Sequence, residues 1–111
     1  MELHKKKCVP CRGDIPPFTR EQIDEYLKYL KDWKVQINEK KVFYLSRVYK
    51  FPDFENSLNF INKVSNIAEE EGHHPDLKFV CGYAEINIFT HAINVLSISD
   101  FVLASKIDQL D

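Results

Sequence analysis

No run in the 111-residue sequence is apolar for the roughly 20 consecutive positions that a helix needs to cross a bilayer. The opening stretch, Met1 to Lys7, is polar and basic, so the apolar core of a secretory signal is missing too. Both absences point to a soluble intracellular chain, expected in the cytoplasm and able to reach the nucleus. Cysteine is scarce: three residues, an odd count in a chain without an export signal, argue against structural disulfides. Charge of one sign is also lacking. Lys+Arg 15 against Asp+Glu 17 leaves a net charge of -2 with the signs interspersed, so there is no basic field to attract a phosphate backbone, and direct nucleic-acid binding is disfavoured. Low-complexity segments are absent, as are internal repeats beyond two hairpins. What is present, 44% hydrophobic and 29% charged side chains, suits one globular domain with one core.

Cys8, Pro10, Cys11, Gly13, Pro16 and Pro17 punctuate the first eighteen residues, which predicts an irregular arm over 1–18 and a single domain over 19–111. Thr19 followed by Gln22 is a reciprocal capping pattern, and Ile23, Tyr26, Leu27 and Leu30 continue it as the apolar stripe of a first helix. Trp33, Val35 and Ile37 alternate with polar residues, and after Asn38-Glu39-Lys40 the alternation resumes through Val42, Tyr44, Ser46 and Val48, predicting a hairpin. Pro52-Asp53 opens a long amphipathic helix through Phe54, Leu58, Ile61, Val64, Ile67 and Ala68, which stops at Gly72. Leu77, Phe79 and Cys81, then Ala84, Ile86 and Ile88 about a turn at Gly82, give a second hairpin. Ser97 and Asp100 cap a closing helix with Phe101, Val102, Leu103, Ile107 and Leu110 on its apolar side. The order α-β-β-α-β-β-α predicts an α+β fold: a four-stranded antiparallel sheet with three helices packed on one face. Its strand edges invite pairing with a second copy, so a homodimer or larger symmetric assembly is expected.

Two of only four histidines are adjacent, as His73-His74-Pro75, directly after the helix stop. Proline restricts His74 to extended conformations and fixes its own φ, which holds the pair in a defined corner. His91 lies just past the last strand, where antiparallel return brings it back toward that corner, and Glu69 stands one helical turn before His73. Imidazole is the side chain that titrates nearest neutrality, so such a cluster can give and take protons. Two other readings stand beside this one. The pair is also what a solvated helix terminus looks like, stabilised by the helix dipole. A three-histidine zinc site with an open water position also suits hydration chemistry, although adjacent ligands strain tetrahedral geometry.

Glu69-x-x-x-His73-His74-Pro75, then Val80, Tyr83, Ile86 and Thr90-His91, then Asp100-Phe101-x-Leu103-Ala104-x-x-Ile107 resembles the pterin-4a-carbinolamine dehydratase family, over most of the chain from the first helix onward. The resemblance implies dehydration of 4a-hydroxytetrahydrobiopterin to quinonoid dihydrobiopterin in tetrahydrobiopterin recycling, with a pterin as the small-molecule substrate. By match to the motif it assigns acid/base and pterin-contacting roles to His73, His74 and His91, and pocket-lining roles to Glu69, Phe89 and Thr90. Asp100 also matches, and its capping pattern accounts for it structurally. No cofactor and no metal are implied; homodimers or homotetramers are. Many members have tryptophan where Leu77 stands, and some animal members have arginine where Ser99 stands, departures that bear on substrate preference. Some animal members also serve as a dimerisation cofactor for a homeodomain transcription factor, which offers an alternative function: a non-catalytic partner-binding protein.

Cys8-Val9-Pro10-Cys11 invites a redox or zinc reading. A dithiol site draws its low thiol pKa from a helix amino terminus, which Arg12-Gly13-Asp14-Ile15-Pro16-Pro17 cannot open. His4, Cys8, Cys11 and Cys81 make a formal zinc set, but Cys81 is predicted in a distant strand.

Overall fold

Local cap chemistry sets the ends of the helices in the computed structural model, which describes residues 2–8, 16–90 and 95–110. Helix α1 (Arg20–Leu27) begins at Thr19, whose hydroxyl accepts from the Gln22 amide at 3.2 Å while the Gln22 side chain accepts from the Thr19 amide at 2.8 Å. The chain then forms β1 (Lys34–Ile37) and β2 (Phe43–Lys50). Helix α2 (Phe54–Glu71) starts at Asp53, whose carboxylate accepts from the Asn56 amide at 2.8 Å. It ends at Gly72, whose φ of 64° is the left-handed conformation that glycine adopts without a Cβ penalty. Strands β3 (Asp76–Val80) and β4 (Tyr83–Ile88) follow, and α3 (Ile98–Asp108) closes the chain behind the reciprocal cap of Ser97 and Asp100. The order is α-β-β-α-β-β-α, as predicted, preceded by a short 3-10 turn at Leu3–Lys5. Several boundaries differ: Leu30 and Leu110 lie past the ends of α1 and α3, Trp33 and Val42 lie just before β1 and β2, and Cys81 lies in the β3–β4 turn and not in a strand, because pairing ends at Val80↔Tyr83. Alternation along the sequence runs one residue further than the hydrogen bonding.

All strand pairs are antiparallel, in the order β1-β2-β4-β3, so the two hairpins meet through β2 and β4. The register places Leu45 opposite Ile88, Tyr49 opposite Ala84, and Ile86 opposite Leu77. Leu45, Tyr49, Ala84, Ile86 and Ile88 are at most 8% exposed, and with Val64, Phe101, Leu103 and Ile107 they build the core between sheet and helices. Each fully buried large aliphatic contributes roughly 1.5–3 kcal/mol. Helix α1 joins through aromatic packing, with the Phe18 and Phe101 rings 5.4 Å apart and those of Tyr26 and Phe101 5.9 Å apart. The alternate residues, among them Tyr44, Ser46, Asp76, Glu85 and Asn87, occupy the opposite, more open face.

Asp108 ties the end of α3 to β2 and to the connection before β1. It accepts from Trp33 Nε1 at 2.7 Å, Arg47 at 2.6 Å and the Lys31 amide at 2.9 Å. Burial pushes its carboxyl up from the ordinary range, opposed by those three donors. At the amino end Leu3 enters the core, Lys106 donates to the His4 carbonyl at 2.8 Å, and Glu71 accepts from the Cys8 amide at 2.9 Å. Cys8 Sγ reaches the Ser99 carbonyl at 3.5 Å, and burial beside Glu71 pushes its thiol up to about 12. Among the described residues no three histidine, cysteine or acidic side chains gather as a metal site, and no helix is long and apolar enough to cross a membrane. Cys11 lies outside the described residues.

A histidine and carboxylate corner as the candidate active site

The left-handed residue Gly72 turns the chain sharply off α2, and the His73 amide donates to the Ala68 carbonyl at 3.1 Å, which sets the direction of the pair that follows. His73 turns inward. Its Nε2 lies 2.6 Å from Asp100 Oδ1, with the two side chains 1% and 0% exposed. A carboxylate only accepts, so His73 carries a proton on Nε2. The other Asp100 oxygen accepts from the Ser97 amide at 2.8 Å and from Thr90 Oγ1 at 2.9 Å, and Thr90 and Ser97 hydroxyls meet at 2.7 Å. A buried carboxylate requires such saturation, since an unpaired one would be expelled or neutralised.

His74 turns outward, as the next residue on an extended stretch must. Its Nε2 is 3.1 Å from Glu69 Oε2, and the two side chains are 62% and 83% exposed. A pair so open to water is weak, and its partners exchange readily for a ligand. The corner thus holds two imidazoles, each against its own carboxylate, one sealed and one open.

Of the residues singled out by sequence, Thr90 is fully buried, bridged to Val95, and its hydroxyl belongs to the Asp100 network. Phe89 borders two clefts: one of about 690 Å³ with Asn38, Glu39, Lys40, Lys41 and Val42, and one of about 200 Å³ with Asn38, Tyr44, Asp76 and Asn87. Among the described residues His73 and His74 are not in those walls. His91 lies outside the described residues, between Thr90 and Val95, which flank it. Asp100 does cap α3, as expected, and it also holds His73, a contact that sequence reasoning passed over. The signal was chemical: a capping carboxylate spends one oxygen on the helix and leaves a second to be explained.

The class is therefore an α+β sheet-and-helix layer with two imidazole–carboxylate pairs at the corner that ends α2. Residues 16–110 match the family model described as pterin 4 alpha carbinolamine dehydratase. A Rubrobacter xylanophilus protein named as a pterin-4-alpha-carbinolamine dehydratase is 44% identical over 109 residues, covering 98% of both chains. A Rickettsia canadensis protein of the same name is 45% identical, over 96% of this chain and 94% of its own. A solved Brucella melitensis structure, a transcriptional coactivator/pterin dehydratase, superposes with a TM-score of 0.75 over 86% of this chain and 98% of that one; at 24% identity it speaks for the fold. The chain belongs to the pterin 4 alpha carbinolamine dehydratase family, whose members are hydro-lyases.

Proposed function

We propose that the chain dehydrates 4a-hydroxytetrahydrobiopterin to quinonoid dihydrobiopterin, as a step in tetrahydrobiopterin recycling, with His73, His74 and His91 as the acid/base set. In this reaction the C4a–O bond breaks as a proton reaches the departing hydroxyl, a proton leaves the adjacent N5, and a C4a=N5 bond forms; the sum is loss of one water. The observation that carries the reading is the paired corner at the end of α2, with a sealed imidazole beside an open one. His74, exposed and held by Glu69, is the proton-exchanging group at the mouth. His73, fixed by Asp100, presents a ring of set orientation and tautomer to the same corner. Phe89 offers an aromatic face for a flat bicyclic ring, and Thr90 supports the site by holding Asp100.

The chemistry asks for no cofactor. The two edge strands, β1 and β3, support a homodimer or homotetramer, and the balanced charge supports neither nucleic acid nor membrane as partner. A non-catalytic role, as a transcription-factor dimerisation cofactor acting in cytoplasm and nucleus, has one feature in its favour: Phe54, Leu58 and Val80 are large apolar side chains left exposed. The test is a dehydration assay in which a hydroxylase generates the carbinolamine in place and its ultraviolet absorbance is followed. Acceleration well above the spontaneous rate is expected. Decay at the spontaneous rate, together with capture of a transcription factor, would favour the partner-binding reading.

A further inference from the structure

Glu71 stands where the local rules disfavour it. It is the last residue of α2, and the closing turn of that helix carries Glu69, Glu70 and Glu71 with no basic residue among them. The helix dipole makes that end negative, so a carboxylate there opposes the helix it sits on. Glu71 is also turned in from solvent, with its side chain 10% exposed. A buried ion pair is itself weak evidence of stabilisation, so the placement calls for another reason.

The reason lies in what Glu71 holds. Its Oε1 accepts from the Cys8 amide at 2.9 Å, and its Oε2 lies 3.7 Å from Lys106 Nζ, which donates to the His4 carbonyl at 2.8 Å. The Cys8 thiol reaches the Ser99 carbonyl at 3.5 Å, and Ser99 is the residue before Asp100. Cys8 therefore touches the last residue of α2 and the first turn of α3, the two helix ends that His73 and Asp100 join at 2.6 Å. Leu3, 1% exposed, anchors the same segment in the core. Between Glu71 and His73 stands Gly72, the residue type with the softest backbone, and helix ends fray readily. The exit of the chain from α2 rests on backbone hydrogen bonds from Gly72 to Glu69 and from His73 to Ala68, so a hold on Glu71 from outside the helix steadies the corner that follows.

We propose that Glu71 is a positioning residue of the active site: by accepting from the Cys8 amide it clasps the amino-terminal segment across the α2–α3 junction and fixes the direction of His73. The proposal rests on the dehydratase reading and adds to that site a group that touches no reacting atom. Glu71 acts at one remove, through Gly72, so its loss misdirects the imidazole and leaves ligand binding largely intact. Displacing a catalytic group by about 1 Å is enough to cost on the order of 10²-fold in rate.

The test uses the full-length protein and two readouts, dehydration kinetics and hydrogen exchange of the His73 Nε2 proton followed by NMR. Glu71→Met removes the acceptor at similar length with a good helix former. It is expected to lower kcat by about tenfold with KM within about twofold, and to speed exchange of the His73 proton by about tenfold, while the Ile86 amide in β4 exchanges as in wild type. Glu71→Gln keeps an oxygen for the Cys8 amide and is expected to recover most of kcat and of the His73 protection. Cys8→Pro deletes the same hydrogen bond from the other side, with α2 untouched, and should reproduce the Glu71→Met result. Wild-type kcat and His73 exchange in folded Cys8→Pro would overturn the proposal, as would equal losses in the two Glu71 variants or equal acceleration at Ile86. A wild type that leaves the carbinolamine at its spontaneous rate overturns the dehydratase reading, and the His73 exchange then decides by itself whether Glu71 fixes that ring.

Discussion

His73 and Asp100, 27 residues apart, meet at 2.6 Å inside the protein, and the carboxylate that draws the imidazole inward is the same one that caps α3. The two Asp100 oxygens divide the contacts between them, Oδ1 taking the histidine and Oδ2 the Ser97 amide and the Thr90 hydroxyl. The start of α3 and the end of α2 are therefore joined through one side chain, and the orientation of His73 depends on that junction.

Asp100→Asn separates the cap from the histidine contact. Asparagine still offers an oxygen to cap the helix, but its amide nitrogen then faces His73 and demands an acceptor there, which moves the imidazole proton to Nδ1. Dehydratase activity should fall by about 10- to 100-fold, and stability by about 1–3 kcal/mol. Imidazole nitrogen shifts measured by NMR on 15N-labelled protein should report the change of tautomer. An unchanged tautomer with unchanged activity would leave Asp100 as a cap alone.

Glu69→Gln tests the open pair. Both partners are largely exposed, so thermal unfolding should shift by no more than about 2 °C. The carboxylate that holds the His74 ring at 3.1 Å is lost, and activity should drop by roughly tenfold, with a changed pH profile. Activity and profile both matching wild type would remove Glu69 from the site.

Cys8 carries a pH dependence of definite sign. Its thiol sits near 9.0 in the unfolded chain and is pushed up to about 12 in the folded one, chiefly by burial and then by Glu71. Between those values the native state holds a proton that the unfolded state has released, so the Cys8 contribution to stability declines as pH rises from 9 toward 12 and is unaffected below 9. Denaturation of wild type and Cys8→Ser across that range should show the steeper decline in wild type. At pH 8 an alkylating reagent should modify exposed Cys81 and spare Cys8, whose thiolate fraction is roughly one in ten thousand. Equal labelling of the two on the folded protein would contradict the burial.

Much of the fold was legible because its determinants are local. Thr19 with Gln22, Ser97 with Asp100, and Gly72 each announce a helix end through neighbours within four residues, and the alternation around Leu45 and Ile86 gives away which face is buried. The strand order was not legible, since placing β2 beside β4 is a choice among long-range pairings that no short motif encodes. Cys81 was drawn into β3 for the same reason, as hydrogen-bond register stops where alternation does not. At the site, the adjacency of His73, His74 and Pro75 was visible, but their opposite fates were not. Burial of one ring and exposure of the other depend on Asp100 and Glu69 lying on different helices.

The most direct test of the central claim is the dehydration rate of enzymatically generated carbinolamine with wild type, His73→Ala, His74→Ala and His91→Ala, each checked for folding by circular dichroism. Wild type should exceed the spontaneous rate substantially, and each folded variant should lose most of that excess, on the order of 10²-fold or more. Folded histidine variants that all dehydrate the carbinolamine as fast as wild type would contradict imidazole acid/base catalysis in this corner.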